Sequence, residues 1–358
     1  MTGPEVTALD TAVYTIPTDA PEADGTLAWD KTTMVLVTAR AGGEQGLGWS
    51  YTSRAAAAVV GELLAGTVTG RDAFDVAGAA EAMARQVRNV GRPGIAAMAI
   101  SAVDIALWDL KARRAKLPLW RLLGGFDPRV PCYAGGIDLD LSVEALLRQT
   151  DDNLSRGFRA IKMKVGRPDL AADVARVKAM RAHLGEGFPL MADANMKWTV
   201  EEAIRAARAL QPYDLTWLEE PIIPDDVAGH ARILAAGGVP IAAGENLRSL
   251  WEFKNYIVAG AVSYPEPDAT NCGGVTSFMK IARLAEAFNL PVTSHGAHDI
   301  TVHLLAACPN RSYLEAHGFG LDRYIEHPLV LEGGMAPAPV LPGHGVSFDW
   351  KGLAQVAA

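Results

Sequence analysis

The sequence predicts an α/β protein: a modified (β/α)8 barrel of the TIM type with an N-terminal α+β capping domain that the C-terminal tail completes. The first third mixes β-rich runs with helical patterns. From Val130 onward, eight short apolar runs alternate with amphipathic stretches, as in a closed parallel barrel. The end is rich in Pro and Gly. We therefore expect a capping domain over residues 1–125, a barrel over 126–324, and a segment over 325–358 that packs back on the capping domain.

The composition is that of a folded globular protein. The 358 residues are 49% apolar and 21% charged, and the net charge of −8 argues against a nucleic-acid partner or an anionic membrane surface. Three widely spaced cysteines argue against a disulfide scaffold. Neither a basic, apolar leader nor an apolar run long enough to span a bilayer occurs. We expect a cytoplasmic protein without a membrane or nucleic-acid partner.

Two runs rich in β-branched residues, and a third run that follows a turn at Gly42 and Gly43, predict a small antiparallel meander in the capping domain. These runs cover residues 6–16, 33–39 and 45–52. Helices are predicted over residues 54–65, 73–90 and 94–115, the last of them buried on most sides. The eight predicted barrel strands cover residues 130–133, 160–165, 190–194, 216–218, 240–243, 262–264, 291–293 and 312–314.

Polar residues recur where these apolar runs end. The carboxyl ends of all barrel strands meet at one face, so residues far apart in sequence converge there. Among them, Asp193, Glu219 and Glu245 follow one another at intervals of 26 residues. Three neighbouring carboxylates repel one another unless their pKa values rise or a cation binds, and all-oxygen ligation suits one Mg²⁺. The alternative is that one or two of these acids are solvated loop residues.

Further strand-end residues have the properties of proton carriers. Lys162 and Lys164 point to the same side of a strand, where two ammonium groups lower each other's pKa and one can become a base. The alternative is a solvent-facing strand. His295 needs an orienting partner, for which Asp268 is the candidate. Glu315 is a carboxyl placed to donate or share a proton with the substrate.

The ordered set of motifs resembles the enolase superfamily, and within it the mandelate racemase group of the mandelate racemase / muconate lactonizing enzyme family. Any one motif is weak, whereas the ordered set covers nearly the whole chain. The motifs are Lys162-Met-Lys164, Asp193-Ala-Asn195, Trp217-Leu-Glu-Glu-Pro221, Gly244-Glu-Asn246, Pro267-Asp268 with Gly273-Gly-Val275, Ser294-His295 and Leu314-Glu315, besides residues 101–110, Leu123-Gly-Gly125 and Pro342-Gly-His-Gly345.

The resemblance implies a role for each motif. Asp193, Glu219 and Glu245 would bind Mg²⁺, which together with a Lys or His base stabilises an enediolate in such sites. Lys164, tuned by Lys162, would be the base on one face of the α-carbon. His295, held by Asp268, would be the acid/base on the other face. Glu315 would hydrogen-bond the substrate carboxylate or enediolate.

One departure from the family concerns Asn271, which stands where the mandelate racemases carry a lysine and so argues against mandelate-type racemisation. Substrate contacts are expected from capping loops at residues 19–30 and 46–51. The candidates are Trp29, Trp49 and Tyr51, each of which could equally pack in the core, with Asn195, Asn246, Asn271 and His298 from the barrel. His298 could instead belong to the start of the next helix.

The resemblance implies chemistry on a sugar acid. The segment from His295 to Asp299 is similar to family members that are cycloisomerases of 3,6-anhydro-L-galactonate, which favours opening of that ring to 2-keto-3-deoxy-galactonate. A sugar-acid dehydratase and a racemase or epimerase remain alternatives. An aldolase-like barrel with a Schiff-base lysine and a non-catalytic binding protein represent other classes. Relatives of this type are homo-oligomers, so we expect a dimer or an octamer.

Overall fold

A computed structural model of the chain describes residues 3–136 and 138–358, and of residues 19–21 it describes the backbone alone. Met1, Thr2 and Ile137 of the predicted domains lie outside the described residues. A three-stranded antiparallel sheet with helices precedes a curled parallel sheet whose strands alternate with helices. The predicted fold class is therefore confirmed.

The capping sheet is the predicted meander, in the order β1-β2-β3. Its strands are β1 (Val6–Ala23), β2 (Ala28–Ala41) and β3 (Glu44–Tyr51). Gly42 and Gly43 turn the chain between β2 and β3 with φ of 55° and 81°, which glycine adopts at little cost. β1 runs past its predicted end, although its pairing with β2 is irregular between Pro17 and Glu22. The β1–β2 hairpin is consequently longer than the sequence predicted.

The capping helices lie at the predicted positions, except for the short α5, which was not predicted. They are α1 (Ala55–Val59), a π-helical turn (Val60–Leu64), α2 (Ala65–Val68), α3 (Val76–Gln86), α4 (Ile95–Ala115) and α5 (Leu119–Leu122). As predicted, α4 is buried on most sides. Its buried Asp104 accepts hydrogen bonds from the backbone N–H and the hydroxyl of Thr276, which joins the capping domain to the barrel.

Two glycines allow α4 to lie directly against β3. Gly46 and Gly48 alternate along the strand and therefore face the same side of the sheet. A Cβ at Gly46 would overlap the carbonyl oxygen of Ala106, and one at Gly48 would overlap that of Ala102. The helix backbone thus packs on the strand backbone without intervening side chains.

The barrel alternates strands and helices as predicted. Its elements are β4 (Arg129–Gly135), α6 (Val143–Ser155), β5 (Ile161–Lys164), α7 (Leu170–Leu184), β6 (Leu190–Asp193), α8 (Val200–Leu210), a 3-10 turn (Gln211–Tyr213), β7 (Leu218–Glu219), α9 (Val227–Ala236), β8 (Ile241–Ala243), α10 (Leu250–Val258), β9 (Tyr264–Pro265), α11 (Gly274–Ala287), α12 (His298–Ala306) and β10 (Leu314–Ala316). The strands pair in parallel in the order β10-β4-β5-β6-β7-β8-β9.

The seventh predicted run, residues 291–293, is reduced to a single bridge but still links β9 to β10. The Thr293 N–H donates to Pro265 O, and its hydroxyl donates to Tyr313 O. The Ser312 N–H donates to Val292 O, and the Val292 N–H to Asn310 O. These bonds close the ring between the two ends of the parallel sheet.

Side chains at the helix starts explain where several barrel helices begin. Ser142, Asp169, Thr199, Asp226 and Ser249 each accept a hydrogen bond from a backbone N–H in the first turn. Such caps satisfy donors that the helix itself leaves open. In α8 the bond is reciprocated, since a Glu at the third position receives the N–H of Thr199.

The C-terminal segment touches both parts of the protein. A 3-10 turn (Leu321–Tyr324) precedes it, and the segment contains β11 (Met335–Pro337), which pairs antiparallel with β4, and α13 (Trp350–Ala354). The Thr15 N–H donates to Val356 O, and the Ala358 N–H donates to Val13 O. The tail thus adds a strand to the barrel sheet before it returns to the capping sheet. The exact bounds of the three predicted domains stay predictions.

Among the helices of the described residues, none combines the length and the apolar character needed to cross a membrane.

The contact between α4 and β3 makes Gly48 sensitive to substitution. Gly48→Ala is expected to destabilise the protein by roughly 3 kcal/mol or more, because the added methyl group meets helix backbone that cannot rotate away. Gly66→Ala in α2 is the matched control, since its Cβ would meet open space. Thermal unfolding of the two variants measures the difference; equal midpoints would contradict the proposed packing.

Candidate active site

A cavity of about 440 Å³ lies at the carboxyl ends of the barrel strands, between the barrel and the β1–β2 hairpin. Its barrel side carries most of the polar residues predicted at the strand ends. Its capping side comes from β2, the residues before it, and the end of β3. The lining residues include Trp29, Tyr51, Lys162, Lys164, Asn195, Glu245, Asn246, His295, Glu315, His317 and Phe319.

The structure brings Asp193, Glu219 and Glu245 together. One carboxylate oxygen of each lies within 4.8 Å of the others. Asp193 and Glu219 are the last residues of β6 and β7, which are paired in register. The indole of Trp217 donates to Glu219 Oε2 at 3.0 Å and fixes that carboxylate. Three oxygen donors at this spacing can hold one hard divalent cation.

The two lysines of β5 contact this carboxylate cluster instead of solvent. Lys162 Nζ lies 2.7 Å from Glu219 Oε1 and 2.8 Å from Glu315 Oε1, and Lys164 Nζ lies 2.6 Å from Asp193 Oδ2. Lys162 does lower the pKa of Lys164, as expected, but the net fall in pKa that this predicted is wrong for this arrangement. Burial favours the neutral amines, but the adjacent carboxylates outweigh it and raise the pKa of both lysines.

His295 stands between carboxylates on both sides. Its Nδ1 lies 2.9 Å from Asp268 Oδ2, as the sequence suggested, and its Nε2 lies 3.0 Å from Glu245 Oε2. Burial acts to lower the pKa of His295, but Glu245, Asp268 and Glu315 together raise it to about 10. In this arrangement the imidazole is therefore protonated and can act as an acid.

Asp268 is held in place for this role. Its Oδ1 accepts hydrogen bonds from the N–H and the hydroxyl of Thr270, at 2.6 and 2.7 Å. Its Oδ2 also accepts one from Asn271 Nδ2 at 3.1 Å. The carboxylate therefore has little freedom to turn away from His295.

Glu315 is ionised in this arrangement, contrary to the expectation of a carboxyl that donates a proton. Burial disfavours the carboxylate, yet Lys162 and His295 lower the pKa of Glu315 well below its usual range. Glu315 Oε2 also accepts the N–H of Gly296 at 2.9 Å. The group is thus an oriented hydrogen-bond acceptor.

Two buried acids beside the cluster were not predicted as site residues. Burial, reinforced by Glu245, raises the pKa of Glu220 to about 8, and this residue accepts a hydrogen bond from Asn246 Nδ2 at 2.7 Å. Glu266 accepts one from the Tyr133 hydroxyl at 3.2 Å, and burial raises its pKa well above the usual range. Neutral acids at these positions limit the negative charge around the three carboxylates.

Four predicted substrate contacts line the cavity: Asn195, Asn246, Trp29 and Tyr51. The Trp29 indole donates to Glu22 Oε2 at 2.6 Å, which fixes it on the hairpin. The Tyr51 hydroxyl donates to Gly318 O at 3.2 Å. The side chains of residues 19–21, part of the predicted capping loop, lie outside the description.

The other three predicted substrate contacts do not line the cavity. Trp49 is completely buried and packs edge-on against His344 and Phe348, so it belongs to the core beneath the capping sheet. The side-chain amide of Asn271 donates a hydrogen bond to the Asp268 carboxylate. His298 is the first residue of α12, and its Nε2 lies 3.3 Å from Asp322 Oδ1.

His317 and Phe319 line the cavity although the sequence analysis did not select them. Both follow β10 in the run Leu314–Phe319, where Glu315 had been identified. Side chains alternate along an extended chain, so the residue two positions after a strand-end Glu faces the same way. That signal was present in the sequence.

Comparison with known proteins identifies both parts of the chain. Residues 10–124 match the family "Mandelate racemase / muconate lactonizing enzyme, N-terminal domain", and residues 145–352 match "Enolase C-terminal domain-like". The 3,6-anhydro-alpha-L-galactonate cycloisomerase of Streptomyces coelicolor is 56% identical over 319 residues, which are 88% of each protein.

Solved structures agree over nearly the full length. A racemase from Streptomyces coelicolor A3(2), crystallised with bound magnesium, superposes with a TM-score of 0.96 at 50% identity, covering 99% of this chain and 100% of that one. L-Talarate dehydratase from Polaromonas sp. JS666, in complex with Mg and L-glucarate, superposes with a TM-score of 0.93 at 35% identity, covering 99% and 97%. The chain belongs to the mandelate racemase / muconate lactonizing enzyme family of the enolase superfamily.

Proposed function

We propose that this protein uses one Mg²⁺ per chain to remove the proton next to a sugar-acid carboxylate and then eliminates the group on C3. The preferred substrate is 3,6-anhydro-L-galactonate, which would open to 2-keto-3-deoxy-galactonate. The observation that carries the proposal is the placement of two proton carriers at opposite ends of the carboxylate cluster. Lys164 contacts Asp193 at one end, and His295 contacts Glu245 at the other.

The donor set fits Mg²⁺ because it consists of three converging carboxylates. Asp193, Glu219 and Glu245 would hold the ion. When bound, it would stabilise the charge that develops on the substrate carboxylate and neutralise the carboxylates that now raise the pKa of Lys164. The magnesium in the racemase structure supports this assignment.

The chain's own residues then account for the proton transfers. Lys164 would take the C2 proton, with Lys162 holding Glu219 and Glu315 in place. The His295 imidazolium would give its proton to the oxygen that leaves C3. Lys164 would return a proton at C3, and the hydroxyl on C2 would release one as the ketone forms, which restores His295. The product is therefore an isomer of the substrate.

Glu315 is placed to receive a substrate hydroxyl. It is an ionised acceptor between Lys162 and the N–H of Gly296. The hydroxyl on C2 is a donor that suits such an acceptor, whereas a carboxylate oxygen is not. We therefore assign Glu315 to orientation of the substrate.

A dehydratase is the second candidate, because the same residues would expel a hydroxyl from C3. The structural match to L-talarate dehydratase favours it, at lower identity than the cycloisomerase. Schiff-base chemistry is disfavoured, because it needs no metal ion, whereas three carboxylates suited to one converge beside both lysines. The expected homo-oligomer and cytoplasmic location stay predictions.

Proton NMR in D₂O with Mg²⁺ and a panel of sugar acids tests the reaction. We expect 3,6-anhydro-L-galactonate to give a 2-keto-3-deoxy product, because its ring oxygen is the leaving group on C3. Turnover of an open-chain aldonate or aldarate in its place would make the protein a dehydratase. Deuterium exchange at C2 without elimination would indicate a racemase or epimerase. Absence of any reaction would remove the substrate proposal.

The metal assignment is tested by Glu219→Gln. The substitution keeps the shape of the side chain but removes one negative donor, so we expect Mg²⁺ affinity to fall roughly tenfold or more. Titration calorimetry with Mg²⁺ measures it without substrate. Glu201→Gln, a change at an exposed ion pair with Arg232, is the control and should bind as the wild type does. Unchanged affinity in Glu219→Gln would show that the ligand assignment is wrong.

The base is tested by Lys164→Ala. Loss of the amine should slow C2 proton exchange from one face by roughly 100-fold or more, as removal of a general base does. Mg²⁺ affinity should be retained, because a cation is removed from the neighbourhood of the metal site. Exchange is followed by NMR and affinity by calorimetry. Exchange at the wild-type rate would remove Lys164 from the mechanism.

A further inference from the structure

The imidazole of His317 is a cavity group that the chemistry above does not use. It lines the cavity together with Glu315 and His295. Within the described part of the chain, its ring nitrogens make no hydrogen bond or ion pair, and its ring contact is with Phe319. A half-buried polar side chain of this kind is available to a ligand in the cavity.

The position of His317 follows from β10. Glu315 lies within the strand, and His317 comes directly after its last residue, Ala316. Two residues along an extended chain return to the same side about 6–7 Å further on. His317 therefore stands further out from the barrel than Glu315, on the same side. If Glu315 receives the hydroxyl on C2, the next substrate atoms toward His317 are those on C3.

The segment that carries His317 is rigidly built. Phe319 has φ of 52°, a backbone conformation that costs energy for a residue other than glycine and is held only by surrounding contacts. The centroid of its ring lies 4.2 Å from that of the Tyr51 ring and 4.4 Å from that of the His317 ring. The rings of Phe319 and His317 meet nearly edge-on. The contact of His298 with Asp322 closes the segment from the other side. The imidazole is thus presented in a defined orientation.

The charge state of His317 limits which kind of substrate atom its imidazole can bind. Burial, together with the cations His295, Lys164 and Lys162, lowers the pKa of His317 to about 4, against the opposing effect of Glu315. A neutral imidazole offers one N–H donor and one acceptor. This suits an uncharged substrate oxygen, such as a hydroxyl or an ether, better than a carboxylate.

We propose that His317 hydrogen-bonds the oxygen on C3 of the substrate and stabilises it as it leaves. The inference rests on the proposed function and deepens it. The C2–H bond breaks and its proton goes to Lys164; the C3–O bond breaks and its electron pair stays on the oxygen. The proton that this oxygen takes comes from His295. His317 donates a hydrogen bond and keeps its own proton.

Two variants of the full-length Mg²⁺ enzyme test this role. His317→Leu removes the donor at similar bulk, whereas His317→Gln retains an N–H donor. Proton NMR in D₂O with 3,6-anhydro-L-galactonate gives two rates for each, product formation and deuterium entry at C2 of recovered substrate. We expect His317→Leu to lose roughly 100-fold in product formation, as removal of one such donor does elsewhere. C2 exchange should stay within about threefold, and His317→Gln should recover part of the loss.

Calorimetric Mg²⁺ affinity and the unfolding midpoint establish whether each variant is folded. If His317→Leu is not folded, His317→Ala, which also lacks the donor, takes its place in the test. Equal loss of both rates, or undiminished product formation in a folded variant without the donor, would overturn the role of His317. If the wild type acts instead as a dehydratase, the same two rates, measured on the sugar acid that it dehydrates, decide the role of His317. A wild type without turnover or exchange of any sugar acid refutes the proposed function itself, which is a different result.

Discussion

Burial of negative charge at the barrel mouth is the constraint on which this structure depends. Asp193 and Glu219 are almost completely removed from solvent, and isolated carboxylates cannot be ionised there at acceptable cost. Lys162 and Lys164 supply the compensating charge from the neighbouring strand, at hydrogen-bond distance. The same ion pairs hold the lysines protonated. A cation bound among the carboxylates would offset the negative charge that raises the pKa of Lys164, and would so favour the neutral amine.

The capping domain covers one side of this charged barrel end and lines the cavity together with it. The β1–β2 hairpin brings Trp29 over the cavity, and β3 brings Tyr51 against Phe319. This roof is held by backbone contacts: α4 lies on the glycines of β3, and the C-terminal tail bonds to β1. The capping residues that line the cavity and the polar residues at the strand ends thus lie on tightly packed elements, which have little room to move independently.

Some site residues were inaccessible to sequence analysis for a physical reason. Trp49 and Tyr51 are two residues apart on β3, yet the first is buried beneath His344 while the second reaches the cavity. That difference arises because the C-terminal segment, distant in sequence, packs on Trp49 through His344 and Phe348. Likewise, the pKa of Glu315 is lowered by Lys162, which lies on β5, and by His295, which lies in the loop before α12. Its expected protonated state was wrong because a sum of through-space charges decides it.

The sequence by itself determined the fold class, the meander with its glycine turn, the order of barrel strands and the residues at their ends, because these follow from local periodicity and from the rule that strand ends share one face. Tertiary structure alone decided which candidates reach the cavity, where the hairpin ends, how the seventh run is reduced to one bridge, and which groups are charged. Those features depend on contacts between residues far apart in the chain, and on the low-polarity surroundings that only a packed fold provides.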